Sequence, residues 1–265
     1  MSPTILALGG GGFTATPGDP SLDELALQLT GVDEPRILFL PTAGGDAAGQ
    51  IAAFYGAYGD RLCRAQVLSL FRLHGSLRSV REIILDQNVI YVGGGSMRNM
   101  LAIWRAHGLD AILREAWERG VVIAGLSAGA MCWFEGGVSS SGGCPEAIEG
   151  LGFLPGSLSV HADGEPERLP VYLDAVLSGT LSGGWALDDG VGLVIEGDEV
   201  VRVVSARPGA SALRVDAVAG ELVRSRLEPE LLGIEGERAV PGDVREFRAL
   251  NRRGATRQSG RRTSR

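Results

Sequence analysis

The chain of 265 residues contains no lysine; apart from three histidines, every basic side chain is arginine. That absence excludes a Schiff-base lysine, a Ser–Lys dyad and a lysine-bearing phosphate loop. Cysteine is scarce. Cys63, Cys132 and Cys144 have no paired spacing, so neither a disulfide framework nor a zinc site is expected. A reducing compartment suits such a set. No apolar run is long enough to span a bilayer, and the opening Met1-Ser2-Pro3-Thr4 lacks the basic segment of an export signal. The expectation is a cytoplasmic protein with no membrane partner. Histidine is as scarce as cysteine: His74, His107 and His161 are the available imidazoles.

What is present is an acidic, apolar-rich body. With 45% hydrophobic residues the chain can bury a substantial core. The first 250 residues hold nineteen arginines against all 32 acids, which argues against nucleic acid as the main partner. Residues 251–265 hold six arginines and no acid. The expected organisation is one α/β domain over residues 1–250 and a disordered arginine-rich tail over 251–265. The 40 glycines follow no collagen-like period and cluster at strand ends and turns.

Along the chain, short apolar runs alternate with stretches of helical spacing. Residues 4–8, 36–40, 65–70, 89–92 and 121–124 read as buried strands. Helices are predicted over residues 22–29, 49–58, 79–85, 97–107 and 109–119, and one starting at Ala128 and running to Phe134. This alternation predicts a doubly wound, mostly parallel sheet with flanking helices. Residues 192–195, 200–205 and 212–215 read as shorter strands of a small antiparallel C-terminal portion. In such sheets ligands bind beyond the carboxyl ends of the strands. The glycine-rich ends at residues 9–12, 93–95 and 125–129 therefore point to one crevice.

Gly125-Leu126-Ser127-Ala128-Gly129 is a G-x-S-x-G between a strand and a helix, the setting of a nucleophile elbow. The turn lifts the Ser127 hydroxyl clear of the sheet, and the Ala128 N–H is a natural oxyanion donor. The bland alternative is a glycine turn with a capping serine. A serine needs a base. His74 lies in a polar loop and His107 at a helix C-terminus, where a cation suits the dipole. His161, directly after a strand end predicted at Leu158-Ser159-Val160, remains as the candidate base. Asp163, Glu165, Glu167, Asp188, Asp189 and Glu196 all stand as candidates to orient it; Asp188-Asp189 draw notice because they end an apolar run just before Gly190. Residues 93–95 could supply a second oxyanion N–H. A nucleotide loop at residues 9–12 is the competing reading of that run, but Thr14 occupies the place of the third glycine.

Val92-Gly93-Gly94-Gly95, then Gly125-Leu126-Ser127-Ala128-Gly129-Ala130, then a histidine after Gly-Leu-Gly-Phe-Leu-Pro resemble the peptidase E family, the dipeptidase E and cyanophycinase group of serine peptidases (family S51). The similarity runs from about Ile5 to about Leu232. It implies a flavodoxin-like fold of the class I glutamine amidotransferase type and a triad. In that triad Ser127 is the nucleophile, His161 the base and Asp189 the acid, where the best-known dipeptidases have glutamate. Ser96 stands where the family often has asparagine. Val160 and Ala162 flank the histidine where proline and an aromatic are frequent.

The resemblance further implies hydrolysis of small peptides, Asp-X dipeptides first, through an acyl-enzyme. The oxyanion would rest on Ala128 and Gly95, with Gly94 as a substitute. Arg168 is the candidate ligand for a substrate carboxylate. No cofactor and no metal are expected, and a homodimer is left open. Two rival readings remain: a cyanophycinase-like hydrolase of β-aspartyl peptides, and a small-molecule binding member of the fold without catalysis.

Overall fold

The computed structural model describes residues 2–14, 19–73 and 77–233. The tail at 251–265, the last part of the expected domain and His74 lie outside the described residues. The compact unit ends at Leu232.

In chain order, the first half comprises β1 (Thr4–Leu8), α1 (Ser21–Gln28), β2 (Arg36–Leu40), α2 (Ala48–Tyr58), β3 (Arg64–Val67), α3 (Val80–Leu85), β4 (Val89–Val92), α4 (Met97–His107), α5 (Leu109–Glu118) and β5 (Val122–Leu126). The second half comprises α6 (Ala128–Met131), β6 (Phe134–Ser139), β7 (Glu146–Glu149), β8 (Leu154–Ser159), α7 (Arg168–Leu177), β9 (Gly184–Leu187), β10 (Val191–Glu196), β11 (Glu199–Ser205), β12 (Ala212–Val218), β13 (Glu221–Leu227) and β14 (Glu230–Leu231).

These strands form two sheets. The first has the order β14-β11-β10-β1-β5-β4-β2-β3. Its strands from β1 to β3 are parallel, as predicted, while β10 and β11 extend it antiparallel. Successive residues of β1 divide between two cores: Ile5 and Ala7 face one, Leu6 and Leu8 the other. A strand covered on both faces reads as a continuous apolar run, which is why β1, β2, β4 and β5 were visible in the sequence. Helices α1 and α2 cover one face; α3, α4 and α5 cover the other. In α4 the apolar residues at 97, 100, 101 and 104 are all buried. Each such side chain contributes roughly 1.5–3 kcal/mol of transfer free energy.

The second sheet, of order β13-β12-β9-β8-β6-β7, was not anticipated as a separate sheet. Of the three late strands predicted, two belong to the first sheet and β12 to the second. The helix expected from Ala128 to Phe134 is a single turn, α6, and Phe134 already begins β6. Helix α7 packs Tyr172, Ala175 and Val176 on the second sheet against Val138, Ala186 and Val215.

This topology decides what can meet. Antiparallel pairing places the start of β10 beside the end of β1, with Gly192 opposite Leu8. In the second sheet β8 and β9 are parallel neighbours, Ser159 opposite Ala186, so their carboxyl ends emerge side by side. The link from β9 to β10 crosses from the second sheet to the first at that edge.

Candidate active site

Ser127 follows β5 with φ 54° and ψ −115°, a backbone conformation that a non-glycine residue rarely adopts. Such a conformation costs on the order of 1–3 kcal/mol and must be held by its surroundings. Here the Ser127 N–H donates to the Leu8 carbonyl at 3.0 Å, and the Ser127 carbonyl accepts from Ala130 and Met131. The flanking glycines are a packing requirement. A Cβ on Gly125 would strike the Gly129 carbonyl, and one on Gly129 the Val92 carbonyl. The one-turn helix folds that closely over its strand. As the first residue of α6, Ala128 has an N–H with no acceptor inside the helix.

His161 stands two residues beyond the end of β8, also in the left-handed region with φ 56°. Its carbonyl accepts from Gly164 and Glu165, and the following Ala162 N–H donates to Leu187 at the end of β9. The imidazole is thereby aimed at the first sheet. Nε2 lies 2.9 Å from Ser127 Oγ, and Nδ1 lies 2.5 Å from Asp189 Oδ1. Facing a carboxylate, Nδ1 carries the proton and donates it, leaving Nε2 as acceptor for the Ser127 hydroxyl.

The two neighbouring aspartates have separate tasks. Asp189 reaches His161. Asp188 turns its Oδ2 to the Ser211 N–H (2.8 Å) and hydroxyl (2.9 Å), fastening the β9–β10 link to the start of β12. Asp163 accepts the backbone N–H of Asp189 at 2.9 Å and pairs with Arg207. Burial pushes the Asp163 carboxyl up, but the bonds from Arg207 and the Asp189 N–H outweigh it and hold the carboxyl below its usual range. Glu165 pairs with Arg168, Glu167 is exposed, and Glu196 lies at the far end of β10.

Three further readings find their place in the structure. His107 is exposed at the end of α4, closed by the left-handed Gly108. Residues 9–12 pass beside the triad side chains: a Cβ on Gly10 would meet Asp189 and His161. Arg168 is not a free guanidinium. It is 4% exposed, sits 2.8 Å from the Glu165 carboxylate, and also donates to Ser140 Oγ and the Val160 carbonyl. Its charge is answered within the protein, so it braces the segment that follows His161.

On the first sheet, Gly93 donates its N–H to the Leu40 carbonyl. Among the described residues, the N–H groups of Gly94 and Gly95 donate to no backbone carbonyl. Also among the described residues, no group of three or more His, Cys, Asp and Glu could hold a metal ion, and no helix is long and apolar enough to cross a membrane.

The profile described as Peptidase family S51 matches residues 5–203. A Bacillus subtilis (strain 168) protein named uncharacterized peptidase YgaJ is 44% identical over 229 residues, covering 86% of this chain and 99% of its own. A crystal structure of a peptidase from an acI-B1 Actinobacterium superposes with a TM-score of 0.65 at 20% identity, covering 86% of this chain and 95% of that one. A structure from Listeria monocytogenes EGD-e gives 0.54 at 14% identity, covering 86% of this chain and all of its own. At those identities the two structures speak for the fold.

Proposed function

As a member of peptidase family S51 this chain is a serine-type peptidase, and we propose that it cleaves small peptides by acyl transfer through Ser127, His161 and Asp189. The observation that carries this reading is the unbroken line of hydrogen bonds from the Ser127 hydroxyl through both imidazole nitrogens to Asp189.

The chemistry follows from the direction of those bonds. Ser127 Oγ attacks the amide carbonyl carbon while His161 Nε2 takes its proton, and Asp189 stabilises the imidazolium. The carbonyl oxygen becomes an oxyanion facing the N–H groups of Ala128 and Gly95, with Gly94 beside them. Collapse of the tetrahedral adduct breaks the C–N bond, and His161 returns the proton to the leaving amine. A water, deprotonated by the same nitrogen, then hydrolyses the Ser127 ester.

For substrates we propose dipeptides and other short peptides, Asp-X among them, a preference that follows from the family resemblance. Arg168 is engaged by Glu165 in this structure, and our reading assigns it no role in substrate binding. We place the protein in the cytoplasm, where its free thiols at Cys63, Cys132 and Cys144 suit a reducing medium.

A dipeptide library that includes Asp-X and β-aspartyl peptides, scored with wild type and Ser127→Ala, tests the reading. Hydrolysis by wild type and none by the variant is expected, together with a fluorophosphonate adduct on Ser127. Equal rates from both proteins, or no hydrolysis of any peptide, would remove it; the latter would favour a binding member of the fold.

A further inference from the structure

Gly94 lies beside the nucleophile: a Cβ built on it would sit 3.4 Å from Ser127 Cβ. The conformation of the peptide joining it to Gly95 belongs to glycine, since Gly95 has φ 141° and a side chain there would run into the Ala43 carbonyl. The flanks of the loop are tied to the turn after β2, with Gly93 N–H on Leu40 O (3.1 Å) and Ser96 N–H on Ala43 O (2.8 Å). The peptide itself is held from a different element. Gln50, near the start of α2, donates Nε2–H to the Gly94 carbonyl at 3.2 Å.

That bond has a geometric consequence. The peptide is trans, so its C=O and N–H point in opposite directions. Fixing the Gly94 carbonyl toward Gln50 fixes the Gly95 N–H away from it. Donation to the carbonyl also polarises the amide and strengthens its N–H as a donor. The amide of Gln50 has one workable orientation, because exchanging Nε2 and Oε1 would set two acceptors against each other. Its Oε1 is buried without a partner among the described residues, a cost accepted in holding that orientation. Gly44 makes the room: a Cβ there would overlap the Gln50 amide.

We propose that Gln50 is a positioning residue of the oxyanion hole, holding the Gly94–Gly95 peptide so that the Gly95 N–H faces the charge that develops on the acyl oxygen. The inference rests on Ser127 acting as the nucleophile. Because that charge is greatest in the transition state, losing the bond lowers kcat and leaves KM nearly unchanged.

The test uses the full chain as wild type, Gln50→Leu, Gly44→Ala and Ser127→Ala, on a dipeptide the wild type cleaves. Gln50→Leu is expected to lower kcat about tenfold to a hundredfold, with KM within about threefold. The rate of fluorophosphonate labelling at Ser127 should fall in parallel, since that reaction builds negative charge on the same donors. Gly44→Ala leaves Gln50 in the sequence but displaces its flexible end, and is expected to reproduce the loss; it also serves should Gln50→Leu not fold. A kcat within threefold of wild type in a folded variant, or a rise in KM alone, overturns the assignment while Ser127→Ala still abolishes activity. A wild type with neither turnover nor labelling overturns this inference and the peptidase reading together.

Discussion

The Oδ1 atom of Asp189 occupies the space that a Cβ on residue 10 would need. His161 Cε1 lies just beyond, 3.1 Å from the same point, and the Gly190 N–H donates to the Gly10 carbonyl at 3.2 Å. The glycine after β1 is therefore the floor under the acid and the imidazole. Gly10 keeps its φ outside the left-handed region, so alanine is acceptable to the backbone there. Its methyl group would push the carboxylate aside. We expect Gly10→Ala to fold with a melting temperature within a few degrees of wild type while kcat falls at least about tenfold. Steady-state kinetics beside a thermal melt check this; an unimpaired kcat would mean that the carboxylate need not sit where it does.

The division of labour between the two aspartates gives a paired prediction. Asp189→Ala removes the partner of His161 Nδ1 and is expected to lower kcat by about a hundredfold to ten-thousandfold. Asp188→Ala strips the acceptor from the Ser211 N–H and hydroxyl. It should cost on the order of 1–3 kcal/mol of stability, read from denaturant unfolding, with kcat within a few-fold of wild type. The reverse pattern would exchange the two roles.

The parallel half of the fold was legible because β1, β2, β4 and β5 are buried on both faces and carry unbroken apolar runs. The second sheet was not. Strand β13 exposes Arg224, Ser225 and Arg226 and shows no clean alternation, and β6 carries Gly136 and Gly137 against close backbone neighbours. The elbow at Ser127 could be read because its mechanism is local. The acid could not be chosen from the residues alone, because that choice depends on β8 and β9 being neighbours. Six carboxylates remained open, and the resemblance singled out Asp189. Gly10 and Gln50 carried no local signal of their roles: each acts through a contact with a segment far away in the chain. The ion pair of Arg168 with Glu165 was not legible either, because Glu165 reads as one acid in a polar loop until the turn leading into α7 brings the two together.

Arg168 supports its own test. Arg168→Met keeps an unbranched apolar stem and removes the guanidinium with its charge. It leaves Glu165 and Ser140 without their guanidinium, and the Glu165 side chain, 34% exposed, is partly answered by water. A loss of about 1–3 kcal/mol is expected, measured by urea denaturation. The ratio of Asp-X to neutral dipeptide hydrolysis should stay constant. A selective loss of Asp-X turnover would return the guanidinium to the substrate.

A buried carboxyl away from the triad gives the fold a pH dependence. Asp23 in α1 is 2% exposed and accepts the Tyr58 hydroxyl at 3.0 Å. Burial pushes its carboxyl up to about 6; the Tyr58 hydrogen bond and the Arg61 charge offset this in part. In the unfolded chain the group titrates near 3.9. Between these values the folded state holds a proton that the unfolded state releases. The stabilisation is thus complete below about pH 4 and fades as pH rises through 6. Asp23→Asn keeps the shape and cannot ionise, and its Oδ1 still accepts from Tyr58. The stability of the variant relative to wild type should therefore grow between pH 4 and pH 8, by up to about 3 kcal/mol. Urea unfolding of both proteins across that range measures the difference. A difference independent of pH would mean that Asp23 titrates alike in the folded and unfolded chains, and that its burial beside Tyr58 carries no electrostatic cost.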